Sequence, residues 1–115
     1  MGLHEYATPL WQYFDDESGE GWLLGRYRKV YRQHLIPAGR VIPLVITETG
    51  ADIVQPTGWK NHFDGEEYMD QLRWYDNVLK DDDYVIGATI FSLELPGWDS
   101  FDVEPILPQL IEHVR

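Results

Sequence analysis

Glu48, His4 and Tyr6 are the residues best placed for chemistry. Glu48 closes the run Pro43-Leu44-Val45-Ile46-Thr47-Glu48, and Thr49 and Gly50 follow at once. An apolar run this short, bounded by proline and glycine, reads as a strand buried on both faces, the kind found in parallel sheets. In barrels of such strands the C-terminal residue faces the ligand site. A carboxylate there is costly unless it is solvated, paired or used. The plain alternative is a surface glutamate at a strand end. His4 and Tyr6 stand two apart, so on a strand both point to one face; at a frayed terminus His4 would simply be a solvated polar residue.

The rest of the composition limits what can surround these groups. A chain of 115 residues makes one domain, residues 1–115, with a modest core. Hydrophobic residues make up 43% of it, with five Trp, seven Tyr and four Phe, which is too many for a disordered chain. Twenty acidic residues against nine basic ones give a formal net charge of −11. Such a chain repels phosphate backbones, and no basic patch offsets this, so nucleic acid is not an expected partner. Without cysteine there are neither disulfides nor thiolate metal sites, and the redox compartment stays open. No apolar run approaches the roughly 20 residues of a membrane span, and no signal peptide precedes the first acidic residues. Nothing directs export, and the cellular location is open.

Three helical patterns alternate with strand patterns. A first helix is predicted from about Gly21 to Leu35, with Trp22, Leu23, Tyr27, Val30, Tyr31 and Leu35 as its apolar stripe and Arg26, Arg28, Lys29, Arg32 and Gln33 outside. Pro37 and Gly39 stop it. A strand over about Ile42–Thr47 leads into a long polar loop, Gly50 to about Asp64, holding Pro56, Gly58, Trp59 and His62; loops of this length are more often functional than idle. Asp64 and Glu67 have capping-box spacing at the head of a second helix, whose stripe is Tyr68, Leu72, Tyr75, Val78 and Leu79. The run Asp81-Asp82-Asp83 opposes the helix dipole and reads as the turn leading out. Tyr84–Leu93 is a second clear strand, broken by Leu95-Pro96-Gly97-Trp98. Pro105 opens a last helix with Ile106, Leu107, Leu110, Ile111 and Val114 as its buried stripe. Gly2–Tyr6 reads as the tail of a strand. The alternation calls for an α/β fold with parallel strands and right-handed crossovers, and a three-stranded sheet that short reads as part of something larger.

In that order the motifs resemble the C-terminal portion of a (β/α)8-barrel glycoside hydrolase, of the large clan that includes cellulases and β-glycosidases. The likeness spans essentially all 115 residues, as the last three strand–helix units. Gly2-Leu3-His4-Glu5-Tyr6 looks like the end of the sixth strand, where members carry a His-x-Tyr motif lining the cleft. Ile46-Thr47-Glu48-Thr49-Gly50 looks like the seventh, where the nucleophile sits. Gly87-Ala88-Thr89-Ile90-Phe91-Ser92 looks like the eighth, with Phe91 near the position of a sugar-platform Trp and Trp98 just downstream.

The resemblance implies a partial (β/α) barrel, about three parallel strands and three helices, that acts on or binds carbohydrate; the strand edges and apolar inner face such a piece exposes would drive its completion by self-association into a homo-oligomer. It implies no cofactor and no metal. Retaining hydrolysis needs two carboxyl groups about 5–5.5 Å apart. The family's acid/base glutamate follows an Asn on the fourth strand, and no Asn-Glu pair occurs here. Glu5 and Glu94 are the remaining strand-end glutamates and stand as second-carboxyl candidates, while Asp52 reads as a loop-capping residue. Substrate contacts implied are His4, Tyr6, Phe91, Trp98 and Trp59; stacking on sugars suits exposed aromatic faces. Trp11, Trp59 and Trp98 in loops serve equally as cover for a sheet edge or an oligomer contact, and Trp22 and Trp74 on helices read as packing. His34, His62 and His113 show no ligand spacing. The competing reading is a non-catalytic half-barrel-like module that oligomerises and binds glycan weakly.

Overall fold

Two runs rich in β-branched residues, 44–50 and 85–90, and the short segment 2–6 form three strands, and 3.6-residue patterns between them form helices. The computed structural model describes residues 1–12, 24–52 and 58–115. Its elements are β1 (Gly2–Tyr6), α1 (Arg26–Val30), β2 (Leu44–Gly50), α2 (Gly65–Lys80), β3 (Val85–Ile90) and α3 (Leu107–His113). The strands make one sheet in the order β1-β2-β3, parallel throughout. This is a small mixed α/β fold, as the alternation of periods predicts.

The core lies between the helices and one face of the sheet. Leu44 and Ile46 of β2 meet Tyr27, Tyr31, Tyr68, Met69, Leu72, Tyr75 and Leu79 there, all buried. Burying side chains of this size contributes about 1.5–3 kcal/mol each. Tyr31 and Tyr84 stack with centroids 3.8 Å apart, which joins the turn after α1 to the start of β3. The capping box on α2 is present in full. Asp64 Oδ1 accepts from Glu67 N and Glu67 Oε2 accepts from Asp64 N, each at 2.9 Å. Asp82 sits in the exit turn of α2 and is neutralised by Arg28 Nε at 2.6 Å, while Arg28 Nη2 donates to the Val78 carbonyl at 3.0 Å. A cation from α1 thus occupies the negative end of α2 and offsets the acidic run there.

Several sequence expectations change. The first helix is α-helical only over Arg26–Val30 and continues as a π-helical turn, Tyr31–Leu35. Tyr27 and Tyr31 carry its buried side, whereas Val30 is exposed; Trp22, Leu23 and Pro56 lie outside the described residues. β2 starts two residues later than expected and runs on to Gly50, and β3 is shorter than Tyr84–Leu93. The last helix is preceded by a 3-10 turn, Glu104–Ile106. Of its expected stripe only Ile106 is buried; Leu107 and Leu110 are half-buried, and Ile111 and Val114 are exposed. Among the described residues the strands are covered on one face only, so Thr47 and Thr89 reach solvent there, while Ile86 and Ala88 are exposed on the outermost strand beside the helices. The physical reason is common to both departures: among the described residues nothing packs on the second face or beyond β3.

Candidate carboxylate site at the sheet rim

One irregularity in the sheet builds the site. Along β1 and β2 the partners are Leu3 with Ile46, then His4 with Glu48, so Thr47 is an extra residue on β2. A bulge of this kind re-aims the side chains that follow it. By strict alternation Glu48 would share the buried face with Ile46. After the bulge it shares the open face with His4, and the next pair, Thr49 and Glu5, is buried instead. The bulged carbonyl is satisfied from the neighbouring strand, where Thr89 Oγ1 donates to Thr47 O at 2.5 Å. Thr89 carries no signal in the sequence beyond being β-branched, and it was not among the expected site residues.

Glu48 receives two groups on one oxygen. Tyr6 Oη donates to Oε2 at 2.9 Å, and His4 Nδ1 lies 3.3 Å from the same atom. Among the described residues Oε1 has no hydrogen-bond partner. Partial burial, then the hydrogen bond to Glu48, push the Tyr6 phenol well above its usual range. Tyr6 therefore remains a protonated donor at any working pH. Exposed ion pairs contribute about 0–1 kcal/mol, so the His4 contact orients the carboxylate more than it stabilises the fold.

The strand ends converge tightly behind this group. A Cβ on Gly50 would lie 3.3 Å from both the Phe91 carbonyl and the Tyr68 hydroxyl, and 3.5 Å from Tyr6 Cε1. Glycine lets β2 pass between them. Burial raises the Tyr68 hydroxyl pKa, and Asp52 adds its negative charge to the field at Tyr6. Asp52 Oδ1 is buried without a hydrogen-bond partner among the described residues, and the loop it is expected to cap, residues 53–57, lies outside them.

The aromatic candidates separate. Phe91 N donates to Thr49 O at 2.9 Å, which sets its backbone beside the residue after Glu48. Its ring meets Trp98 edge-on at 5.2 Å and Phe101 at 5.5 Å, and Trp98 keeps 40% of its surface exposed. Trp59 is 4% exposed, stacks on Tyr68 at 5.0 Å and donates Nε1 to Phe101 O. It is a wall of the core and presents no face to a sugar. Gly58 folds that loop down, since a Cβ there would collide with the Ser100 carbonyl. Trp11 is exposed and meets Trp74 edge-on.

Of the two expected second carboxyls, Glu5 is turned away from Glu48. Glu5 is 1% exposed on the opposite face, held by Gly25 N, Tyr27 N and Tyr75 Oη. Its even-odd position against His4 and Tyr6 carries it into the core. Glu94 is exposed, adopts φ +48°, and donates its N–H to Asp102 Oδ1. Among the described residues no group of three His, Asp or Glu could hold a metal ion. His113 is taken up by Asp76 at 2.8 Å. No helix of the described residues is long and apolar enough to cross a membrane. Set against known proteins, the chain matches no family model, no curated protein and no solved structure.

Proposed function

We propose that this chain supplies the nucleophile half of a retaining β-glycosidase site, with Glu48 as nucleophile and carbohydrate as substrate. The observation that carries the reading is the convergence of Tyr6 and His4 on Glu48 Oε2, at the C-terminal rim of parallel strands. Two neighbours fix that oxygen, and among the described residues Oε1 has no partner and is open to react. Oε1 attacks the anomeric carbon, an ester bond forms, and the glycosidic C–O bond breaks with its electron pair leaving on the departing oxygen. An ordinary sugar leaving group also needs a proton from an acid, and among the described residues no second carboxyl touches Glu48. A dinitrophenolate leaves without one. With no such group among the described residues to activate water, the resulting ester is expected to persist.

The fuller form of the reading is a (β/α) barrel completed by self-association, which would cover the open sheet face and could bring a second carboxyl to the site. A non-catalytic module that binds glycan weakly is the alternative, and the half-exposed Trp98 ring beside Phe91 favours it.

The test uses dinitrophenyl fluoro-β-glycosides, read by intact-protein mass. Wild type is expected to gain one fluorosugar on Glu48, with matching release of dinitrophenolate, and Glu48→Gln to gain none. No adduct on wild type, or one that survives Glu48→Gln, overturns the nucleophile role. Sugar binding without an adduct, weakened by Trp98→Ala, would establish the alternative.

A further inference from the structure

We propose that the outer edge of β3 is a seam at which two copies of this chain pair antiparallel across a twofold axis, joining their sheets into one of six strands. This rests on the self-association in the reading above and gives it a different form: an antiparallel seam extends the sheet and does not close it into a parallel barrel.

The two edges of the sheet differ. At β1, Val45 N donates to Met1 O and Ala7 N to Gly50 O, so the odd residues of β1 turn their main chain toward β2 and the even ones outward. The outward carbonyl of His4 is occupied by the Arg26 guanidinium. A side chain already guards that edge. At β3, Phe91 N donates to Thr49 O, which leaves the main-chain groups of Ala88 and Ile90 facing away from β2. Among the described residues no strand pairs there.

Edge strands in monomers are guarded by charge, proline or brevity. Val85-Ile86-Gly87-Ala88-Thr89-Ile90 has none of these: six residues, no charge and no proline, in a chain of net charge −11. Of the two register shifts in its pairing with β2, the one opposite Leu44 and Val45 falls near its start, and in the one between Ile46 and Thr49 the extra residue lies on β2. In a twofold contact each side chain meets its own kind or a near neighbour. A charged strand could not tolerate that; this one can.

The apolar surface beside the edge is continuous with it. Ile86 is 71% exposed and Val114 of the segment ending α3 is 78% exposed, with Ile111 open next to it. A groove of about 240 Å³ runs between α2, β3 and α3, lined by Leu79, Ile86, Ala88, Ile90, Leu110 and Val114. The open sheet face is a poorer contact, because it presents His4, Thr47 and Thr89.

Sedimentation velocity is expected to give twice the 13.5 kDa of one chain. Ile86→Glu would set two carboxylates against each other and weaken the dimer at least tenfold, and Ala88→Pro would remove an outward N–H without touching the bonds to β2. Both sites are exposed, and far-UV circular dichroism confirms that the variants stay folded. The chain has no cysteine, so Ala88→Cys can be bridged to its own copy by a short bismaleimide. Such a homodimeric cross-link supports the seam. A monomeric wild type overturns self-association and the seam together. A dimer indifferent to Ile86→Glu, or one in which Ala88→Cys bridges only to Gly2→Cys of another molecule, overturns the seam alone and leaves self-association standing.

Discussion

Replacing Glu5 with Gln should destabilise the fold by about 1–3 kcal/mol, the cost of one buried donor left without an acceptor. Glu5 is where three elements meet. Oε2 accepts from Gly25 N at 2.9 Å and Tyr75 Oη at 2.7 Å, and Oε1 accepts from Tyr27 N at 3.0 Å. A residue of β1 thereby caps the N-terminus of α1, which has no side-chain cap of its own, and binds α2 through Tyr75. Glutamine keeps one carbonyl oxygen, enough for the two donors now on Oε2. Its amide NH2 then faces the Tyr27 N–H, donor against donor. At roughly 4 °C per kcal/mol for a domain of this size, the melting temperature falls by roughly 4–12 °C.

The pH dependence gives a second check. Burial raises the Glu5 pKa above its ordinary value of 4.5 and outweighs the lowering by Gly25, Tyr75, Tyr27 and Arg26. The folded state then holds this proton more tightly than the unfolded state. The stability this provides is full below pH 4.5 and is lost as pH rises through the elevated folded value. Thermal melts of wild type and Glu5→Gln across that window should therefore show their difference narrowing as pH rises. A melting temperature unchanged by the substitution would refute the bridging role, and a difference that widens with pH would refute the raised pKa.

Asp64→Ala removes the capping box from α2 and should cost about 1 kcal/mol, seen as a lower urea midpoint with an unchanged slope. Thr89→Val deletes the hydroxyl that satisfies the bulged Thr47 carbonyl; labelling of Glu48 by the fluoroglycoside should slow severalfold, and Thr89→Ser should restore it. Equal rates in all three proteins would disprove the link between the bulge and the site.

The fold was legible in the sequence wherever a local rule and a tertiary need agree. Asp64 and Glu67 announce α2, and the capping box is there in both directions; Tyr68, Leu72, Tyr75 and Leu79 repeat at helical spacing and are all buried. Periodicity failed at α3, because Ile111 and Val114 keep the helical repeat yet have no sheet beneath them. Amphipathic spacing states which face would be buried, never whether a partner exists to bury it. The site was legible in the same partial way. His4 and Tyr6 share a face because they stand two positions apart, a period any strand enforces. Glu48 joins them only through one extra residue in β2. Counting by twos from Ile46 sends Glu48 into the core and Thr49 outward; the bulge reverses both, and no residue type between Ile46 and Gly50 marks it. Glu5 was misread for the complementary reason. A glutamate one place from a strand end looks like a rim residue, but alternation against His4 and Tyr6 points it inward, where two backbone N–H groups and a phenol make its burial tolerable. The same chain thus has one carboxylate that a backbone irregularity turns out to the rim and one that regular pairing turns into the core. Position along a strand did not separate the two. The register against the neighbouring strand did.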